Sequence, residues 1–230
     1  MKRISIITNG PGIAEVKSLY GQASDWIQNI LNSYSHLEVN VVKGYEMEEL
    51  DSIKDDSWII TGSAHSVYDN FPWIDYLREK LREMKKAQKP VLGICFGHQL
   101  IADTFGGKVE LNKKGWEIGS CYVNLTEDSK DCSLFSSFND SMHVYQSHQD
   151  IVVELPKEAI LMAKNDMGIQ SFVYNDLFYG VQFHPEFTKD VMEKYLIIRH
   201  EKGIIKDIPK VEECLSSSLI INNFIDKILK

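Results

Sequence analysis

An α/β fold with a mostly parallel central sheet flanked by helices, and antiparallel additions in the second half, is the architecture the sequence predicts. Three observations lead there. Short β-rich apolar runs alternate with helix-period segments in the first half, as βαβ units do. Runs such as PVLGI (90–94) are apolar without polar alternation, which suits strands covered on both faces. After Gly107 the texture changes to shorter strand-like runs separated by polar turns.

In order, ISIIT (4–8) opens as a strand, 14–31 reads as one helix, VNVVKG (39–44) as a strand, and SWIITG (57–62) as a third strand ending in Gly. Residues 72–89 place Ile74, Leu77, Leu81 and Met84 at three- and four-residue spacing, which predicts an amphipathic helix before strand 90–94. The antiparallel candidates are 116–125, 142–148, 160–165, 169–175 and 177–183. A helix over 188–201 follows, and a last segment, 211–229, carries Leu215, Leu219, Phe224, Ile225 and Ile228 as a helix stripe. The expected organisation is one domain over 1–202 and a C-terminal helical extension over 203–230.

With 230 residues, 43% of them hydrophobic, the chain can bury one sizeable core. Its formal net charge of −8 argues against nucleic acid or an anionic membrane face as a partner and favours a small polar substrate. No apolar run reaches the length of a membrane span, and MKRISIITNGPG meets Gly and Pro before a signal-peptide core could form. A cytoplasmic location is the expectation. The four cysteines, Cys95, Cys121, Cys132 and Cys214, have no CxxC spacing, which suits a reducing compartment. His65, His143, His148 and His200 form no metal-ligand spacing with them, so neither a metal nor a cofactor is expected.

Gly93-Ile94-Cys95-Phe96-Gly97 lies between a strand and a helix and has the form of a G-x-nucleophile-x-G elbow, with sulfur in place of hydroxyl. The glycines permit close approach around a strained turn, and the central side chain projects from the strand end. At a helix start the partial positive charge lowers a thiol's pKa, and the Phe96 N–H is offered to an oxyanion. A lone Cys among apolar residues is more often a core residue. Here the paired glycines and the polar Gly97-His98-Gln99 favour catalysis. Farther on, LFYGVQFHPEF (177–187) delivers His184 and Glu186 at a strand end. Residues two apart in extended chain share a side, so Glu186 can hold one ring nitrogen while the other faces the thiol. A helix-capping turn is the simpler reading of His-Pro-Glu by itself.

VLGICFGHQLIA, QFHPEF and TGSAHSVYD (61–69) together resemble the class I, or triad-type, glutamine amidotransferases, especially the glutaminase domain of GMP synthetase and its stand-alone relatives, over roughly residues 4–198. The resemblance implies a flavodoxin-like glutaminase fold, Cys95 as nucleophile, His184 as base and Glu186 as its orienting acid. It also implies a second oxyanion N–H at Ser63, and substrate contacts from Gly62, Gln99, Ser147 and Gln149. Ser63 and Gln149 stand where the family commonly has Gly, and a residue with a Cβ resists the backbone flips that Gly allows. GWEIG (115–119) further resembles a subgroup that includes plant γ-glutamyl peptidases.

The implied reaction is hydrolysis of glutamine to glutamate and ammonia through a thioester, with or without a separate synthetase subunit as acceptor. Two alternatives stand beside it: a γ-glutamyl peptidase or hydrolase acting on a larger compound, and a catalytically silent glutamine-binding or regulatory subunit.

Overall fold

The structure, a computed structural model, describes residues 1–229. Its strands are β1 (Lys2–Thr8), β2 (Leu37–Lys43), β3 (Ser57–Ile60), β4 (Val91–Ile94), β5 (Lys108–Leu111), β6 (Glu117–Leu125), β7 (Ser141–His148), β8 (Asp150–Glu154), β9 (Ala159–Asn165), β10 (Gly168–Tyr174) and β11 (Phe178–Val181). The α-helices are α1 (Ala14–Tyr20), α2 (Ala23–Leu31), α3 (Pro72–Lys86), α4 (Phe96–Thr104), α5 (Lys189–Glu201) and α6 (Leu219–Asn223).

Nine strands form one sheet in the order β2-β1-β3-β4-β11-β10-β9-β6-β7. From β2 to β11 every pairing is parallel, and from β11 to β7 every pairing is antiparallel. β11 is therefore the seam, and its parallel register on β4 sets Val181 opposite Ile94. The chain leaves both strands at the same end of the sheet, so residues far apart in sequence are brought to one carboxyl edge, where ligands of parallel sheets bind.

Within β1, Ile6 belongs to the apolar cluster on one face and Ile7 to that on the other, the period-two consequence of a strand covered on both sides. The first cluster is closed by α2 and α6, the second by α3 and α4. A third gathers Trp26, Tyr145 and Phe187 with Val191 and Leu196 of α5. That helix is capped by Thr188, whose hydroxyl accepts from the Val191 N–H at 3.3 Å.

The single helix expected over 14–31 is two helices. Gly21, at φ 79°, takes a conformation that other residues adopt only with strain, and the Gln22 N–H restarts the chain by donating to Asp25 Oδ2 at 2.9 Å. The helix begun at Pro72 stops at Lys86 rather than at residue 89, with Gln88 at φ 53° just beyond. β5 and β8 pair as a separate two-stranded sheet that local pattern did not suggest.

The C-terminal stripe also has a different phase. Residues 211–218 are not helical, Leu215 is 82% exposed, and α6 runs into a single π turn over Phe224–Ile228. Ile220, Ile221, Phe224, Ile225 and Leu229 are buried in the same cluster as Ile4, Ile6, Leu92 and Ile94 of the main sheet. Phe224, fully buried and edge-on to Tyr179 at 6.0 Å, is a core residue. Phe224→Ala is expected to cost about 3–5 kcal/mol in urea unfolding, whereas a loss below about 1 kcal/mol would mean the segment is separable from the core.

Candidate functional site

Cys95 follows β4 at φ 51° and ψ −101°, a backbone state that costs a non-glycine residue energy and here aims the side chain off the strand end. The two elbow glycines are steric necessities. A Cβ on Gly93 would lie 2.5 Å from the Gly97 backbone, and one on Gly97 would lie 2.5 Å from the Ile60 carbonyl oxygen. The Cys95 N–H donates to the Val181 carbonyl at 2.8 Å, tying the elbow to β11. Phe96 opens α4, where its N–H has no preceding helical acceptor, while its side chain is buried beside Trp73 at 5.4 Å.

Beyond β11, the His184 N–H is held by the Tyr145 carbonyl at 2.9 Å, and its ring stacks on Phe187 with centroids 4.1 Å apart. His184 Nδ1 lies 2.8 Å from Glu186 Oε1, so the carboxylate holds the tautomer whose Nε2 is free for the thiol. Both side chains are buried. Burial is the largest influence on His184 and pushes its pKa down. The negative charges of Glu186 and of the Cys95 thiolate together outweigh it, so the pKa is raised and the imidazolium favoured.

Gly62 joins the third side of the site. A Cβ there would meet His184 Cε1 at 3.2 Å, Cys95 Cβ at 3.6 Å and Cys95 Sγ at 3.9 Å, so imidazole, thiol and the loop after β3 converge on one point. That loop is braced by its neighbours: Thr61 Oγ1 donates to the Gly62 carbonyl at 3.2 Å, Asn9 Nδ2 to the Thr61 carbonyl at 2.8 Å, and Ser63 Oγ to the Asn9 carbonyl at 2.7 Å. The Ser63 hydroxyl thus pins the loop to the residue that follows β1.

These groups line a pocket of about 360 Å³. Residues 8–26 supply one wall, Gly62, Ser63 and Cys95 the floor, and Ser147, His184, Phe187, Tyr195 and Arg199 the other wall. Of the residues assigned to substrate by resemblance, Gly62 and Ser147 reach the pocket lining, whereas Gln99 and Gln149 do not. Gln99 is buried on α4 and donates its amide to the Asp150 carbonyl at 2.9 Å and to Gln182 Oε1 at 3.0 Å. Gln149 sits in the turn between β7 and β8, where its carbonyl accepts from the Asn112 N–H at 2.9 Å.

His98 is fully buried against Phe172, where desolvation lowers its pKa to about 3 and keeps it neutral. Glu117 of the GWEIG stretch is buried away from the pocket, with Asn165 Nδ2 at 2.6 Å, Gln170 Nε2 at 2.9 Å and His148 Nε2 at 3.0 Å. Sequence reasoning missed Asn9, Tyr195 and Arg199. The last two carry a usable signal, since Val191, Tyr195 and Arg199 recur every four residues on the helix that follows His184. Among the described residues, no group of three or more His, Cys, Asp or Glu side chains is placed to hold a metal ion, and no helix is long and apolar enough to cross a membrane.

A sequence model of the family described as Glutamine amidotransferase class-I matches residues 6–201. The chain is 34% identical over 158 residues to gamma-glutamyl peptidase 3 of Arabidopsis thaliana, covering 66% of this chain and 63% of the relative, so it spans a little under two thirds of that protein. It is 30% identical over 230 residues to a glutamine amidotransferase-like protein of Schizosaccharomyces pombe, covering 94% of this chain and 91% of that one. The crystal structure of a glutamine amidotransferase from Thermotoga maritima superposes with a TM-score of 0.81 at 23% identity, covering 100% of this chain and 98% of that one, which speaks for the fold. The family match over most of the chain and the full-length likeness agree, and the chain belongs to the class I glutamine amidotransferase family.

Proposed function

We propose that the protein hydrolyses γ-glutamyl amide bonds by covalent catalysis at Cys95. The observation that carries this reading is the convergence on Gly62, with His184 Cε1 and Cys95 Sγ at 3.2 and 3.9 Å from one point and Glu186 at 2.8 Å behind the imidazole. The Cys95 thiolate attacks the γ-carbonyl carbon, forming the C–S bond and an oxyanion that the Phe96 and Ser63 N–H groups stabilise. As the C–N bond breaks, the His184 imidazolium gives its proton to the departing amine. His184 then takes a proton from water, the hydroxyl adds to the thioester, and the thiolate leaves. With glutamine the products are glutamate and ammonia.

Two observations favour a second, related substrate class, γ-glutamyl compounds with a leaving group larger than ammonia. They are the likeness to gamma-glutamyl peptidase 3 and a pocket within the roughly 300–1,000 Å³ range of small-molecule sites, more room than a single amino acid needs. Hydrolysis assays with glutamine and a panel of γ-glutamyl amides test both. The expected result is slow turnover of glutamine and a higher kcat/KM for at least one larger compound. Glutamine as best substrate, with a co-purifying synthetase raising its rate, would instead make the chain an amidotransferase subunit.

The raised pKa of His184 gives a pH signature. The protonated ring is the acid for the leaving amine, so kcat/KM is lost as pH rises through the raised pKa. Glu186 is the leading opposite charge holding that proton. Glu186→Gln is therefore expected to move the alkaline limb to lower pH while retaining more activity than His184→Ala, because an amide still orients the ring. The limb reports the coupled Cys95–His184 pair. An unmoved limb in the Gln variant would contradict the assignment.

A further inference from the structure

Arg199 is a cation without a carboxylate partner among the described residues. Arg3 is paired with Asp55 at 3.0 Å and Arg78 with Asp75 and Asp103 at 2.6 and 2.7 Å, while Arg82 lies exposed. Arg199, in the last turn of α5, lines the pocket and is only partly exposed, yet among the described residues no carboxylate forms an ion pair with it. Its guanidinium carbon lies 3.9 Å from the ring centre of Trp116, so one face is covered. One Nη donates to Ser147 Oγ at 2.8 Å, and Nε is buried with no hydrogen-bond partner. Desolvation, the largest influence on it, lowers its pKa from the usual arginine value, a cost that no carboxylate of the described residues offsets.

A guanidinium clamped on one face and at one end, with a donor edge unsatisfied beside a catalytic cysteine, has the geometry for a planar, two-oxygen anion. γ-Glutamyl compounds supply one: the α-carboxylate of the glutamyl unit and, where the leaving group is an amino acid or peptide, a second at its C-terminus. We propose that Arg199, positioned by Ser147 and Trp116, binds a carboxylate of the substrate and selects compounds that carry one within its reach. The proposal rests on the γ-glutamyl reading of the pocket.

Binding to Cys95→Ala protein, measured by calorimetry, tests it without requiring turnover. The probes are γ-glutamylglycine, its C-terminal amide, and its α-carboxamide counterpart. Amidating one carboxylate is expected to weaken binding by about 30-fold, the scale of a charged hydrogen-bonded pair. Adding Arg199→Met should impose the same loss on the diacid while changing the affinity of that amide less than about threefold, as a double-mutant cycle requires. Sensitivity to the C-terminal amide assigns the carboxylate to the leaving group, and sensitivity to the α-carboxamide assigns it to the glutamyl unit. Arg199→Lys, which keeps charge but loses the fork, should recover part of the loss. The Tm of Arg199→Met without ligand should not fall, since the variant removes an uncompensated charge. Equal weakening of all three probes, no weakening, no measurable binding of the diacid, or a fall in Tm with uniform loss would overturn the proposal. Binding of the expected pattern by a protein that hydrolyses none of the compounds would instead sink the catalytic reading and leave the carboxylate site standing.

Discussion

Cys95→Ala is expected to abolish hydrolysis of every γ-glutamyl substrate, a loss of about 10⁴-fold or more, while unfolding within a few degrees of the parent. The loss is large because, among the described residues, Cys95 is the one thiol that lines the pocket. Cys121 and Cys214 carry thiols whose pKa burial pushes up to about 12, and neither they nor Cys132 line the pocket. Stability is spared because Ala at φ 51° meets the same backbone cost as Cys, and the shape that matters there belongs to Gly93 and Gly97. Steady-state assays beside a thermal melt check both halves. Activity within tenfold of the parent would refute the nucleophile, and the corresponding Ala changes at Cys121, Cys132 and Cys214 should cost little activity.

His184→Ala is expected to come within about tenfold of the Cys95→Ala loss, since members of such a unit fail together rather than additively. Without the ring there is no proton for the departing amine, and no cation beside the thiolate. Glu186 is then left as a buried carboxylate whose Oε1 has lost its partner and whose Oε2 has none. A stability loss of about 1–3 kcal/mol accompanies the variant on that account. Single-turnover assays separate chemistry from binding, and a small loss in both steps would remove His184 from the mechanism.

The sequence was most legible where structure and chemistry are local. The elbow at Cys95 is written in five consecutive residues and the His184–Glu186 pair in three, so period and spacing alone located them. Their meeting depends on β11 pairing with β4 across 87 residues (181 − 94), and only the resemblance supplied that. Features that depend on how an element is rotated were not legible. The resemblance makes Gln99 a pocket residue, but α4 turns its amide toward Asp150 and Gln182, and the four-residue spacing of Tyr195 and Arg199 marks one face of α5 without saying that this face meets His184. The helical pattern runs straight through Gly21, whose positive φ ends a helix there, and the stripe through Leu215 is out of phase because 211–218 is not helical. β5 and β8 escaped because each is short and their pairing joins residues some forty apart.

The central claim is that a glutamyl group passes through a thioester on Cys95. Rapid acid quenching of the protein during turnover of a γ-glutamyl substrate, followed by peptide mass spectrometry, tests it directly. The predicted result is a glutamyl adduct confined to the peptide containing Cys95, appearing in the wild-type protein and absent from Cys95→Ala. Turnover with no adduct on Cys95, or an adduct on Cys121, Cys132 or Cys214 that persists in Cys95→Ala, would contradict it.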